Sequence, residues 1–361
     1  MRDRQTAQAG IQDFTSLCDL PIPGLLPDQL REFTIEGLRA KRVRHFSPHA
    51  LLSGLRASDG GKIIAVDIGG DKLSACYFII RGGTVTRAGE VLTCQADAGT
   101  GYLAALLAVS ERARREAAPV GISFAGPVDG TRLVAAPNMP AFLAEFHDGY
   151  GGDFARLFPV VQVANDAVAG LMAGAVEAVR RYPDARDVIY VINGSGLGGA
   201  VLAGNAIYAA EPGHLPVAAE LNAFGQRKEC GLGGARYACV EAVAASKAGV
   251  EDIWRQRTFR RLSGQQISDR YQVGDRLARD LYDNSARLTA HVIRGMAEAF
   301  RLTADPGRLV VVGHGGIFYV PGYGDRVIDI LEGAGETPRF LFTREFTANM
   351  CLEGAAVAAV N

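Results

Sequence analysis

Two acidic residues stand at positions where carboxylates can do chemistry. Asp67 ends the apolar run of "IIAVDIGGDKL" just before Gly69 and Gly70, and a glycine turn lets backbone N–H groups approach a phosphate because no Cβ intervenes. Asp166 follows Asn165 in "VANDAVAG", where a strand leads into a helix. Such acids can face metal-bound phosphates or accept a proton, but either can also simply cap backbone N–H groups.

Asp71 adds a second negative charge directly after the glycine turn. Two like charges about 4 Å apart at an effective dielectric near 20 repel by roughly 4 kcal/mol, which would oppose phosphate binding. Three alternatives follow: Asp71 points away or pairs with Lys72, it joins Asp67 around a divalent cation that accompanies the phosphate, or the site no longer binds its phosphate ligand. We favour the outward or Lys72-paired arrangement.

Bulk properties exclude several classes of protein. The 361 residues can form two domains, and a net charge of −1 provides no basic field for nucleic acid. The first residues lack the apolar core of a signal peptide, and no apolar run is long enough for a membrane span. Six cysteines in mostly apolar text indicate buried thiols in a reducing compartment. We therefore expect a soluble, cytoplasmic protein without a membrane or nucleic-acid partner.

The elements around the first glycine turn predict a meander of three strands. After Gly70 the chain continues as the strand-like "KLSACYFII" and "TVTRAGEVLT", whereas a P-loop or a Rossmann turn needs a helix at that point. A helix is predicted only at 101–118, followed by the strand "PVGISFAG". The stretch 187–210, "DVIYVINGSGLGGAVLAGNAIYAA", repeats the strand, glycine turn and strand. This duplication predicts two similar domains with a glycine loop from each facing a central cleft.

Nine motifs occur in an order that resembles one family. They are "AVDIGGDKL", "GISFAGPVDG", "AAPNMPAF", "VANDAVAG", "GSGLGGAVLAG", "EPGHLPV", "CGLGG" with "ACVEA", "VVVGHGG" and "CLEGAAVAA". From about residue 62 to the end, the chain is similar to the ROK family of sugar kinases and sugar-responsive repressors, in the hexokinase and actin-like ATPase superfamily.

The resemblance implies an α/β fold. This would be a two-domain actin-like ATPase (ribonuclease H-like) fold, with duplicated mixed sheets flanked by helices around a central cleft. The implied domains are an N-terminal extension (1–60), a small domain (61–164) to which a C-terminal helix (346–361) returns, and a large domain (165–345).

The resemblance also implies an ATP-dependent sugar kinase that acts on a hexose or an N-acylated amino sugar at a primary hydroxyl, with Mg²⁺ carried by ATP. Asp166 would be the general base. The implied sugar ligands are Asn138, Asn165, Glu211, His214 and Glu241. The implied nucleotide-binding residues are Asp67, Gly69, Gly70, Lys72, Ser195, Gly196, Gly198, Gly313, Gly315 and Gly316.

The family's structural zinc site is incomplete in this sequence. That site uses one His and three Cys, and tetrahedral coordination needs all four ligands. His214, Cys230 and Cys239 match, but Leu232 stands where the second Cys is expected. Glu229 or a rearranged loop could supply a fourth ligand, yet we do not expect bound zinc.

Residues 1–60 separate the kinase hypothesis from its alternative, a sugar-sensing regulator or a catalytically silent sugar-binding relative. The family's repressors carry a winged-helix DNA-binding domain in that place. Here we predict one amphipathic helix at 27–43 and find no second helix closely following it. The basic run at 39–45 is more typical of a solvated helix end than of a DNA contact. We expect an extension packed on the kinase and, since dimers are common in the family, a possible homodimer.

Overall fold

The computed structural model describes most of the chain. The described residues are 42–70, 72–95, 101–136, 139–194, 196–210, 212–215, 217, 222–225, 239–243, 245–302, 306–333, 335, 338–347 and 349–361. Within these ranges, no helix is both long enough and apolar enough to cross a lipid bilayer.

Strands and helices are mixed along the described chain, which confirms the predicted α/β class. The strands are β1 (Arg42–His45), β2 (Lys62–Ile68), β3 (Lys72–Arg81), β4 (Thr84–Arg87), β5 (Leu92–Gln95), β6 (Val120–Phe124), β7 (Val128–Asp129), β8 (Arg132–Leu133), β9 (Val161–Asn165), β10 (Asp187–Asn193), β11 (Leu197–Ala203), β12 (Ala206–Ala210), β13 (Leu309–His314) and β14 (Arg339–Phe342). The helices are α1 (Pro48–Ala57), α2 (Tyr102–Glu116), α3 (Pro140–Tyr150), α4 (Asp166–Arg181), α5 (Lys247–Thr258), α6 (Gly264–Gln272), α7 (Arg276–Ala299), α8 (Tyr323–Gly333) and α9 (Met350–Ala358).

The described chain divides into two compact units. The first unit contains residues 45–186 and 347–361, and the second contains residues 42–44 and 187–346. The sequence-based boundary at 164/165 differs from this division, because helix α4 packs against α1 and α9 of the first unit. The first unit therefore holds the whole of the strand and helix that flank Asp166.

The sheet of the first unit has the strand order β4-β3-β2-β6-β9, with β5 paired to β3. Strands β2 and β3 are antiparallel, whereas β2, β6 and β9 run parallel. Phe142 of α3 and Tyr102 of α2 are fully buried in a core with Ile64, Val66 and Ile122 of the sheet. Because the carboxyl ends of parallel strands meet at one edge, this edge collects the residues that end β2, β6 and β9.

Two glycines allow the C-terminal helix α9 to enter the first unit. A Cβ at Gly121 of β6 would lie 1.8 Å from the carbonyl oxygen of Ala355, and one at Gly354 would lie 1.8 Å from the carbonyl oxygen of Ala169. Only glycine permits such backbone contacts. Helix α9 therefore packs directly on both β6 and α4.

The sheet of the second unit has the strand order β1-β12-β11-β10-β13-β14. Strands β10, β11 and β12 form an antiparallel meander, and β10, β13 and β14 run parallel. Apolar side chains of the long helix α7, such as Leu288 and Val292, share one core with Ile189, Val201 and Val311 of the sheet.

The two sheets repeat one topology. If each set of strands is numbered along the chain, both β4-β3-β2-β6-β9 and β12-β11-β10-β13-β14 have the order 3-2-1-4-5. The sequence prediction of duplicated mixed sheets flanked by helices is therefore confirmed.

The segment before the first sheet differs in part from expectation. Residues 42–45 form strand β1, whereas the predicted helix extended to 43; the rest of that helix lies outside the described residues. Helix α1 was not predicted, although Ser47 caps it by accepting a hydrogen bond from the N–H of Ala50 and Pro48 occupies its first turn. Ser followed by Pro is a helix-start signal that sequence reasoning could have used.

Candidate active site

Asp67 lies near the carboxyl end of β2, beside Ser123 of β6. The parallel register pairs the two residues, and the hydroxyl of the fully buried Ser123 donates to Oδ1 of Asp67 over 2.7 Å. A hydrogen bond to an ionised acceptor holds the carboxylate in one orientation. Ser123 was missed from the sequence, where it is a single polar residue within the apolar "VGISF".

Burial raises the pKa of the Asp67 carboxyl above its usual value of 3.8. The hydrogen bond from Ser123, the positive charge of Lys72 and the side chain of Asn349 act in the opposite direction. Asn349 caps helix α9, so the C-terminal segment contributes to the surroundings of this carboxyl group. Sequence reasoning did not find Asn349 either, because only the returning helix places it there.

The first glycine turn is a tight hairpin between β2 and β3. The N–H of Gly69 donates to the carbonyl oxygen of Lys72 over 2.9 Å, and the hydroxyl of Tyr102 donates to the carbonyl oxygen of Gly69 over 3.1 Å. The Lys72 side chain is exposed, while Gly69 and Gly70 are half-buried. The turn therefore presents backbone and one cation near Asp67.

Asn165 and Asp166 lie where β9 becomes α4. Asn165 is the N-cap: its Oδ1 accepts from the N–H of Ala167 over 3.0 Å, and its Nδ2 donates to the carbonyl oxygen of Gly126 over 3.2 Å. Oδ1 of Asp166 also accepts from the N–H of Ala167, over 2.8 Å. The capping role considered for this pair is thus real. It also fixes the orientation of the Asp166 carboxylate.

The first unit brings these acids to the same edge of one sheet. Phe124 at the end of β6 is in register with Ile68 of β2 on one side and with Asn165 of β9 on the other. Neighbouring strands lie about 4.8 Å apart, so the ends of β2 and β9 are separated by roughly 10 Å. Asp67 and Asp166 therefore lie at the same sheet edge, on strands that are separated by β6.

The second glycine turn contains Gly194, which follows β10, and Gly196, which precedes β11. The N–H of Gly194 donates to the carbonyl oxygen of Gly196, and the N–H of Lys247 donates to the carbonyl oxygen of Gly194, both over 2.9 Å. The N–H of Leu197 donates to Oε2 of Glu241 over 2.8 Å. The sequence implied a sugar-binding role for Glu241, but it did not indicate this contact with the glycine turn.

Gly213 and His214 lie in a short 3-10 turn beside the same carboxylate. A Cβ at Gly213 would lie 2.2 Å from the carbonyl oxygen of Leu197 and 3.1 Å from Oε2 of Glu241. His214 is half-buried in this turn. The second unit thus brings Gly213, Glu241 and Leu197, the residue after the glycine turn, together.

The third glycine segment, Gly313 to Gly316, begins with the last two residues of β13, which is parallel to β10. Gly315 has φ +100°, and a Cβ there would lie 2.2 Å from the carbonyl oxygen of Asn193. The turns after β10 and β13 are therefore neighbours at one sheet edge. Gly198, in β11, has Ile192 3.0 Å from its Cβ position.

Residues between these turns form a buried polar network that the sequence did not predict. Nδ2 of the fully buried Asn193 donates to the carbonyl oxygen of Ala245 over 2.6 Å and to Oγ1 of Thr289 over 3.2 Å. Thr289 and Ser285 in turn contact the hydroxyl of Tyr323, over 2.8 and 3.0 Å. The network anchors the end of β10 to helices α7 and α8.

His314 was also missed, although it lies between predicted nucleotide-binding glycines. Its Nδ1 is 2.7 Å from the Oγ1 of Thr343, and its ring stacks on Tyr190. Burial lowers the pKa of His314 to about 4, so the imidazole is neutral at pH 7.

Seven of the predicted or weighed residues lie outside the described part of the chain: Asp71, Asn138, Ser195, Glu211, Glu229, Cys230 and Leu232. Their roles, including the three alternatives for Asp71, stay predictions. Among the described residues, no group of three or more His, Cys, Asp or Glu side chains is arranged to hold a metal ion. Because Cys230 is not included, the zinc prediction is not decided by this finding.

Comparison with known proteins identifies one family. The model of the ROK family matches residues 63–356. A ROK hexokinase from Thermus thermophilus is 25% identical with a TM-score of 0.61, covering 82% of this chain and 97% of that one. A search of curated proteins finds no significant match.

Two more distant structures share the fold. A ROK family glucokinase from Streptomyces griseus, in complex with glucose and AMPPNP, is 22% identical with a TM-score of 0.54, covering 82% of this chain and 98% of that one. A ROK family transcriptional regulator, a homologue of the E. coli MLC protein, is 18% identical with a TM-score of 0.57, covering 83% of this chain and 78% of that one.

Proposed function

Because the chain belongs to the ROK family, we propose that it is an ATP-dependent sugar kinase that phosphorylates a hexose or an N-acylated amino sugar at a primary hydroxyl. Sugar kinases among the structural relatives support sugar phosphorylation as the general chemistry. The observation that carries the proposal is the placement of Asp166, a carboxylate held by a helix N-terminus at the same sheet edge as Asp67.

Asp166 is the proposed general base. It would take the proton from the sugar hydroxyl as that oxygen attacks the terminal phosphorus of ATP, while the bond from this phosphorus to the ADP oxygen breaks. A general base must be held in position. The hydrogen bond from Ala167 to Oδ1 does this at Asp166.

Nucleotide-binding roles are proposed for the three glycine turns and for the charged residues near the first turn. Asp67 supplies a carboxylate oxygen, the kind of ligand that Mg²⁺ accepts alongside phosphate oxygens and water. Bound Mg²⁺ would offset the negative charge of the phosphates. Lys72, exposed beside the turn, adds a positive charge.

The sugar would be recognised by directional hydrogen-bonding groups, since ring hydroxyls differ only in direction. Asn165, His214 and Glu241 are the described candidates, and Asn138 and Glu211 are proposed from the sequence. These residues do not identify the sugar.

The experiment that tests this function is a sugar panel with ATP and Mg²⁺, followed by ADP release. D-glucose, D-mannose, N-acetyl-D-glucosamine and N-acetyl-D-mannosamine cover the proposed classes, and a sample without sugar measures background ATP hydrolysis. We expect at least one sugar to raise ADP release well above this background. If ATP binds and no sugar on a broad panel does so, the kinase assignment is wrong.

A sugar-sensing regulator is the second candidate, because one structural relative is a ROK family transcriptional regulator and because residues before 63 lie outside the family match. DNA binding distinguishes the two. A kinase with a basic run at 39–45 should bind duplex DNA only weakly, and salt should abolish the binding. A nanomolar complex with one duplex that survives salt would favour the regulator.

A further inference from the structure

The carboxylate of Glu241 lies between two glycine-containing turns of the second unit. Its Oε2 accepts from the N–H of Leu197, the residue that follows Gly196 of the second glycine turn. The same oxygen is 3.1 Å from the Cβ position of Gly213, in the turn that carries His214. One side chain therefore bonds to the residue after the proposed phosphate turn and lies beside the proposed sugar turn.

Gly196 leaves room for this carboxylate. A Cβ at Gly196 would lie 2.7 Å from Oε2 of Glu241, closer than real Cβ atoms approach an oxygen. Its φ does not lie in the left-handed region, so a side chain at position 196 would act by displacing the Glu241 carboxylate and not by straining the backbone. At Gly213, the Cβ position is 2.2 Å from the carbonyl oxygen of Leu197. The absence of a Cβ at Gly196 and at Gly213 thus lets the two turns lie close to the Glu241 carboxylate.

The remaining hydrogen bonds of the described part of the turn connect backbone groups. Gly194 bonds to Gly196, and Lys247 bonds to Gly194. The bond from Leu197 to Glu241 differs because it links the turn to a side chain that a ligand can also engage.

We propose that Glu241 is a positioning residue that couples sugar binding to nucleotide binding, an inference that rests on the proposed function. A sugar hydroxyl that bonds to Glu241 restricts the carboxylate, and the carboxylate restricts the turn through Leu197. Nucleotide then binds a turn that is already ordered, so its affinity rises. By linkage, nucleotide must raise the affinity for sugar by the same factor.

The test measures the affinity of Mg²⁺ with the non-hydrolysable analogue AMP-PNP by calorimetry, with and without saturating sugar. The sugar is the one that gives the fastest ADP release on the panel above. In the wild type, sugar should tighten AMP-PNP binding by roughly 5-fold to 150-fold. In Glu241→Ala this factor should fall below about twofold, and without sugar the AMP-PNP affinity should drop by roughly 10-fold to 150-fold, as expected for one lost hydrogen bond to a charged group.

Two further variants separate coupling from general damage. Asp187→Ala is the matched control, since Oδ1 of Asp187 accepts a backbone N–H from Gly204 over 3.3 Å in the same unit, at the start of β10 and so at the opposite end of that strand from the glycine turn. This control should keep the wild-type coupling. Gly213→Ala places a methyl group against the carbonyl oxygen of Leu197, from the turn that carries His214. This variant keeps Glu241 and should still weaken AMP-PNP binding.

Each outcome has one interpretation. If wild-type protein binds neither AMP-PNP nor any sugar on the panel, the proposed function itself fails. If both ligands bind and Glu241→Ala leaves the sugar-free AMP-PNP affinity unchanged, the inference is overturned. It is also overturned if Asp187→Ala reduces the coupling as much as Glu241→Ala does.

Discussion

Removal of the Ser123 hydroxyl should destabilise the protein in a way that depends on pH. Ser123 is fully buried, and its Oγ donates to Oδ1 of Asp67 over 2.7 Å. In Ser123→Ala the Asp67 carboxylate loses this donor, while the surrounding strands β2 and β6 keep their register. The change is therefore confined to one hydrogen bond.

The expected magnitude follows from the charge of the acceptor. A hydrogen bond to an ionised group contributes about 1.5–3 kcal/mol, compared with about 0.5–1.5 kcal/mol for a neutral pair. The bond from Ser123 favours ionised Asp67, so its contribution is largest where the carboxyl is ionised and declines as the pH falls through its folded-state pKa. Since burial raises that pKa, the decline should begin above the usual value of 3.8.

Urea unfolding at pH 7.5 and at several lower pH values down to 4 measures this effect. The matched control is Ser110→Ala, because the buried Ser110 hydroxyl donates over 2.5 Å to the carbonyl oxygen of Leu157, a neutral acceptor in the same unit. Its cost should be about 1 kcal/mol at every pH. Equal and pH-independent losses for the two variants would refute the argument that Ser123 supports a charged Asp67.

Three other predictions concern named residues. Gly354→Ala should destabilise the protein by about 1–3 kcal/mol in urea unfolding, because its methyl group would lie 1.8 Å from the carbonyl oxygen of Ala169. The control Gly149→Ala, in open space in helix α3, should stabilise it by about 0.5 kcal/mol. An unchanged stability of Gly354→Ala would contradict the packing of α9 on α4. The pKa of His314 is lowered from 6.5 to about 4, so between pH 7 and 5 the unfolded chain gains a proton at this residue while the folded chain does not. Wild type should therefore lose about 1–2 kcal/mol more unfolding free energy than His314→Gln between pH 7 and pH 5. An identical pH dependence in the two proteins would disprove this. Asp71→Thr should change the KM for MgATP by less than about tenfold. If calorimetry instead detects no ATP binding to the wild type and Asp71→Thr restores it, the wild-type site is disabled.

The repeated sheets were predictable because their signals are local. The apolar runs before Gly69 and before Gly194, each followed by a glycine turn and another strand, determine where β2–β3 and β10–β11 begin and end. The predicted helix at 101–118 likewise corresponds to α2, from Tyr102 to Glu116. Periodicity and turn chemistry act over a few residues, so a single sequence displays them.

The parts that the sequence did not predict depend on contacts between distant residues. Helix α4 belongs to the first unit because its backbone at Ala169 packs against the backbone at Gly354 of α9. Nothing in the sequence around either residue indicates this contact. Ser123 reaches Asp67 only through strand pairing, and Glu241 reaches Leu197 only after the chain between them has folded back. Composition and spacing do not encode such pairs.

The most direct test of the kinase proposal compares wild type with Asp166→Asn. The amide oxygen can still accept the N–H of Ala167, so the helix cap and the shape of the site are kept while basicity is lost. With the sugar identified on the panel, calorimetry should give similar sugar affinity for both proteins, and kcat from ADP release should fall by at least roughly 10² to 10⁴-fold in the variant. Sugar-dependent ADP release at the wild-type rate in Asp166→Asn would contradict the role of Asp166 as the general base.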